Sequence, residues 1–205
     1  VIFLIIMLIG TPVGFAMGSL TNISFMLLGG DQSMIVQKMF SGIDTYTYVC
    51  VLLYILATDL MTVGGITNAI VHFCETLVGH IKGGLAHVNV LGSMLFAGLS
   101  GSAIADASGL GPIEIELMTR GGYKRDFSAC VTAASAIIGP IIPPSNIMII
   151  FAGAIGTVSV GKMFLAGAVP GILLGVAYMV LCYYMAVKYR MPCRDRRATL
   201  REILT

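Results

Sequence analysis

Three stretches without a single Asp, Glu, Lys or Arg constrain what this chain can fold into: Val1 to Gly30, Phe127 to Gly161 and Met163 to Val187. Each exceeds the roughly 20 helical residues needed to cross about 30 Å of hydrocarbon. Charged residues make up 11% of the 205 positions and hydrophobic ones 57%, whereas soluble domains carry roughly 25% charged residues. Water is therefore not the main solvent of this chain, and an all-α membrane protein is the expected fold class. The first run lacks the basic start and small-residue cleavage site of a signal peptide, so it is expected to remain as a membrane segment.

Composition also excludes several functions. The net charge is only +2, and Lys and Arg gather at segment ends, so there is no basic patch for a nucleic acid. Cys50, Cys74, Cys130, Cys182 and Cys193 form no CxxC pair and sit mostly in apolar segments, where reduced thiols are expected. His72, His80 and His87 lack the four-residue spacing of a helical metal pair, so no transition-metal site is expected.

Two of the charge-free runs are too long to be simple spans. Val1 to Leu28 would measure about 42 Å as one helix, and Gly10-Thr11-Pro12 offers the break, because proline removes a backbone donor. Asp31 to Ile43 mixes apolar Met34, Ile35, Met39 and Phe40 with polar residues, which suits a short helix at the interface. Thr45 to Met61 reads as the next span. After Gly64-Gly65, Ile66 to Ile81 carries Ile66, Ile70, Phe73, Leu77 and Ile81 at helical spacing. That segment is either a flat arm between bundles or an ordinary packed helix.

Within Gly83 to Ile113 the sequence GLSGSAIADASG (Gly98 to Gly109) is too rich in glycine for an uninterrupted helix. A re-entrant hairpin is expected, descending over Leu85 to Leu99 and returning over about Ala103 to Met118. Phe127 to Gly161 would span about 52 Å, and GPIIPPSN (Gly139 to Asn146) breaks it into a discontinuous helix. The chain thus divides into 1–82 with scaffold-type helices and an interfacial arm, 83–161 with the hairpin (83–122) and broken helix (124–161), and 162–205. This last part holds a final span and a basic end, Lys188 to Arg201, which the positive-inside rule places in the cytoplasm. Counting back leaves Lys162 outside, and Lys82, Arg120, Lys124 and Arg125 inside.

Open backbone at membrane depth is tolerated only where protein buries it or a water-filled cavity meets it. Secondary transporters place such breaks at their binding sites. The candidate ion-binding residues are Ser100, Gly101, Ser102, Pro143, Pro144 and Ser145, whose hydroxyl and carbonyl oxygens suit hard cations such as Na+. Ser102, Ala103, Ser145 and Asn146 are the substrate-binding candidates, and Asp106, Gly139 and Pro140 shape the site. Close helix packing is the competing role for the serines. Asp106 either caps the returning helix or takes part in ion coupling.

These segments resemble, in order, the large membrane subunits of tripartite ATP-independent periplasmic (TRAP) transporters. The resemblance rests on Gly79 to Ala129 around GLSGSAIADASG, TAASAIIGPIIPPSNIMIIF (Thr132 to Phe151) and FLAGAVPG (Phe164 to Gly171), with weaker matches GTPVGFAMG (Gly10 to Gly18) and GGIT (Gly64 to Thr67). It implies one inverted repeat of an elevator-type carrier in the bacterial inner membrane. It also implies Na+ coupling, a small membrane (Q) subunit, a periplasmic substrate-binding (P) protein, and a small carboxylate substrate such as sialic acid or a C4-dicarboxylate. The remaining C-terminal half of the subunit would complete the carrier. Asp59 stands where relatives usually have Glu, and Asn146 follows Pro-Pro-Ser where an apolar residue or proline is expected. Two rivals are a dicarboxylate elevator that needs no binding protein and an intramembrane protease using Asp59 and Asp106, although the GxGD setting is missing. A purely structural scaffold leaves the two breaks unexplained.

Overall fold

The computed structural model describes residues 2–44 and 46–192, and every regular element among them is helical. The chain divides after Tyr46 into two compact units. In the first, the expected break is present. Helix α1 (Ile2–Leu8) stops before Gly10, and α2 (Val13–Leu27) starts after Pro12. Helix α3 (Gln32–Ile43) begins at Asp31, whose carboxylate accepts a 3.0 Å hydrogen bond from the Ser33 amide. That bond holds the Asp31 carboxyl below its ordinary range and satisfies one of the orphan donors of the first helical turn.

The second unit is organised around α6 (Gly84–Ser100), 11 of whose 17 residues are buried. It has no polar face to offer solvent, so neighbours must cover it on several sides. On one side Ala86 and Val90 join Met118, Tyr123, Val131, Ile138 and Cys182 in a single apolar cluster. On another, Val88 and Phe96 join Val71, Cys74 and Leu110. The partners are α5 (Ile66–Val78), α8 (Gly111–Arg120), α9 (Arg125–Ala136) and α11 (Val160–Lys188). Helix α4 (Tyr46–Val63) precedes α5, and α10 (Asn146–Ile155) lies between α9 and α11.

Helix α5 packs on α6 with much of its large apolar stripe turned outward, although Ile70 packs against the core. Thr67, Val71, Cys74 and Thr76 are buried, whereas Ile66, Phe73 and Leu77 are 37–41% exposed. The physical reason is the solvent: in lipid, large apolar side chains gain little by turning inward, and small residues let helices approach closely.

Among the described residues α11 alone is long and apolar enough to cross a membrane by itself, and only 17% of its apolar window is buried. A helix at the core of a soluble protein would be mostly covered. Its inner face carries Gly167, Gly171 and Gly175 at spacings of four, all buried. A Cβ at Gly171 would lie 2.6 Å from Ile142 Cγ1, and one at Gly175 2.3 Å from Met94 Sδ, so glycine permits this close approach. Cys193 and the basic residues Arg194 to Arg201 lie outside the described residues.

Candidate functional site

The chain reverses at Ser100-Gly101-Ser102, between α6 and a returning helical run. That run comprises α7 (Ala103–Ala105), a π-helical turn (Asp106–Leu110) and α8. Gly101 sits at φ +57°, where an L side chain is strained. Space forbids a side chain as well: a Cβ there would lie 2.5 Å from the Pro144 carbonyl oxygen and 3.0 Å from both Asn146 N and Ser145 Cα. On the other flank, a Cβ at Gly139 would lie 3.1 Å from Ser102 C and 3.2 Å from Ala103 N. The hairpin tip is therefore seated between the two ends of the break that separates α9 from α10, and the two interruptions form one junction.

The structure thus brings Ser100, Gly101, Ser102 and Ala103 together with Gly139, Pro144, Ser145 and Asn146. The carbonyl of Pro143 lies 3.9 Å from where a Cβ on Gly98 would sit. Pro140 occupies the turn between the two flanks. The Asn146 side-chain amide donates to the Ser100 carbonyl (3.3 Å), tying the break to the tip. Helix α4 adds a third wall: the Tyr54 hydroxyl donates to the carbonyl of Pro144 (3.3 Å) or Gly98 (3.5 Å), and the Thr58 hydroxyl lies 2.6 Å from the Leu99 carbonyl. These donors cap the last carbonyls of α6, which have no helical partner.

Three helix ends meet here. Ser102 caps the returning run by accepting from the Ala105 amide (3.4 Å), and Ser145 caps α10 by accepting from the Met148 amide (3.3 Å). Both N-termini, with their partial positive charge, face the C-terminus of α6. Ser100 is 2% and Ser145 0% exposed, while Ser102, Ala103, Pro144 and Asn146 are half-buried. The Asn146 carbonyl oxygen is buried with no donor of its own. An orphan acceptor among carbonyls and hydroxyls is chemically suited to a hard cation.

Asp106 lies one turn further along. The capping position considered for it is taken by Ser102, and its carboxyl group is 1% exposed, with Ser93 beside it. Glu114, also 1% exposed and unpartnered, shares its surroundings; a Cβ on Gly92 would sit 2.7 Å from Glu114 Oε1. The sequence reading overlooked Glu114, although Asp106, Leu110, Glu114 and Met118 recur every four residues and all four are buried. It also missed Tyr54, Thr58 and a buried polar ladder between α6 and α9. In that ladder Asn89 donates to Thr132 (2.7 Å) and accepts from Ser135 (2.7 Å), and Ser93 lies 3.0 Å from Ser135.

An apolar, outward-facing α11 and two helix interruptions seated on each other define a helical membrane protein with its polar junction inside. Residues 1–204 match the family described as Tripartite ATP-independent periplasmic transporter, DctM component. The chain belongs to that family. It is 42% identical over 199 residues to the sialic acid TRAP transporter large permease protein SiaM of Vibrio cholerae, covering 95% of this chain and 46% of that protein. It is also 42% identical over 203 residues to the sialic acid TRAP transporter permease protein SiaT of Haemophilus influenzae, covering 98% of this chain and 33% of that protein. Identity is again 42% over 167 residues with the C4-dicarboxylate TRAP transporter large permease protein DctM of Pseudomonas aeruginosa, covering 82% and 39%. The chain thus spans less than half the length of each of these relatives.

Proposed function

We propose that this chain forms the first inverted repeat of a TRAP large membrane subunit, carrying half of the site at which Na+ drives the uptake of a small organic anion. The observation that carries the reading is the seating of the hairpin tip in the helix break. Two polar interruptions pressed together inside an apolar bundle are costly, because each forfeits backbone hydrogen bonds, and carriers use such interruptions for ions and anionic groups. Oxygens of Ser100, Ser102, Pro144, Ser145 and Asn146 serve the cation. The N-termini after Ser102 and Ser145 favour a carboxylate. The hairpin is re-entrant from the cytoplasm, and hairpin and broken helix travel together as the moving part of an elevator.

The complete subunit works with the small Q subunit and a periplasmic P protein in the bacterial inner membrane. Relatives named for sialic acid and for C4-dicarboxylates both reach 42% identity, over 199 and 167 residues, which supports small carboxylates as the substrate class. The test is uptake by the complete complex in proteoliposomes, supplied with binding protein, sialic acid or a C4-dicarboxylate, and a Na+ gradient. Na+-dependent accumulation of one of them is expected. Accumulation that ignores Na+, or that needs no binding protein, would refute the respective part of the proposal.

A further inference from the structure

We infer that a cleft between α9 and α11 binds an anionic glycerophospholipid of the cytoplasmic leaflet. Two cavities meet there. One of about 410 Å³ lies at the basic end of α11, beside Tyr123, Lys124, Tyr189 and Arg190. The other, about 250 Å³, runs between α9 and α11 and is walled by Cys130, Val131, Ala134, Leu181 and Cys182. Phe127 and Met185 line both, so the cavities form one cleft, basic at one end and apolar along the other. This distribution matches a lipid, with a charged head joined to a hydrocarbon chain, better than a free anion or an apolar helix.

The depth agrees. The Lys188 ammonium sits 6.0 Å and 5.6 Å from the ring centroids of Tyr184 and Tyr189, an arrangement of snorkelling lysine and aromatic belt that marks the headgroup level. The one ion pair among the described residues joins Arg120 to Glu116, so neither Lys124 nor Arg190 has a carboxylate partner there. Asp126 is the acidic residue in the first turn of α9.

Helix α11 ends with Arg190 at φ +49°, and the Met191 amide bonds back to the Ala186 carbonyl (3.0 Å). Glycine is the usual residue in that left-handed position. Arginine stands there instead, and it lines the basic cavity.

This inference depends on α11 spanning the membrane with its basic end inward, and not on transport. The test is native mass spectrometry of the delipidated, full-length subunit with its small partner, titrated separately with phosphatidylglycerol, phosphatidylcholine and glycerol 3-phosphate. One phosphatidylglycerol should bind about 10- to 30-fold more tightly than phosphatidylcholine, given two interfacial cations. Lys124→Gln with Arg190→Gln should erase that preference, and Ala134→Trp should weaken both lipids by filling the apolar groove. The charge variant leaves the core untouched, so it remains informative if Ala134→Trp does not assemble. Unchanged phosphatidylglycerol preference in the charge variant would overturn the proposal. So would full displacement of lipid by glycerol 3-phosphate, which would mean an anion site alone, or cross-linking from Leu181→Cys to the small subunit in place of lipid.

Discussion

Gly101→Ala is the most incisive perturbation of the junction, because it tests the contact between tip and break and not a side-chain ligand. Two costs add. A Cβ at φ +57° costs roughly 1–2 kcal/mol. The same Cβ would stand 2.5 Å from the Pro144 carbonyl oxygen, and the overpacking adds about 1–3 kcal/mol because the obstacle is backbone. Gly156 supplies the control: it ends α10 at φ +72° with nothing within 4 Å of its Cβ position, so its alanine variant bears the first cost only. The difference, about 1–3 kcal/mol, corresponds to a factor of about 5 to 150 in an equilibrium. The assay is the Na+ half-saturation of uptake by the reconstituted full complex, with the melting temperature measured alongside. Gly101→Ala should raise the half-saturation at least several-fold and lower the melting temperature, while Gly156→Ala leaves the half-saturation near wild type and lowers the melting temperature less. If the two variants behave alike, the tip does not rest on the break and the reasoning fails.

Three further predictions address the walls of the junction. Ser102→Ala removes a cap worth about 1 kcal/mol as well as a candidate oxygen ligand, so Na+ dependence should weaken more than expression falls; an unchanged Na+ titration counts against the assignment. Replacing Pro143 and Pro144 with alanine restores two backbone donors and relieves about 3 kcal/mol of helix penalty per site. Uptake should be lost while the melting temperature holds, and near-normal uptake would leave the prolines as packing kinks. Thr58→Val takes away the hydroxyl beside the Leu99 carbonyl and should destabilise by about 1–3 kcal/mol, with Thr58→Ser retaining most of the stability; equal melting of Thr58→Val and wild type would assign the cap elsewhere.

The elements and their interruptions were legible in the sequence because they follow from local chemistry. Pro12, the Ser-Gly-Ser turn and Pro143-Pro144 act on their own backbones, and the helices end or begin beside each of them. What the sequence left open depends on distant partners. The contact between Gly101 and Pro144 joins segments more than 40 residues apart, and nothing in either one announces the other. Orientation was also hidden. Helical spacing identified the stripe on α5 but not its facing: Ile66, Phe73 and Leu77 are partly exposed, and Thr67, Val71 and Cys74 are buried. Glu114 stands two residues before the exposed Glu116, which pairs with Arg120, and composition alone does not tell the two glutamates apart. The spacing of four from Asp106 was the available signal.

The remaining question at the junction is which side opens to substrate, and the burial pattern selects one. Tyr54 and Thr58 close the α4 side with hydrogen bonds to the tip and break, and Gly167 and Gly171 let α11 close against Ile141 and Ile142. Ile104, by contrast, is 81% and Ile137 51% exposed. They border a shallow hollow with Ala103, Ala107 and Ser108. In the proposed carrier the other half of the subunit faces this hollow across a watery substrate cavity, so Ile104 meets water and not lipid. Thiol chemistry separates the two surroundings, because a cysteine reacts as its thiolate, which needs water. In a full-length protein without native cysteines, Ile104→Cys should react with a charged maleimide and be protected by substrate together with Na+. The comparison is Val169→Cys, at a position 63% exposed on the apolar surface of α11, which should stay unreactive in the bilayer. An Ile104→Cys variant as inert as Val169→Cys would mean that the hollow faces hydrocarbon, and the substrate path would have to be sought on another face of the junction.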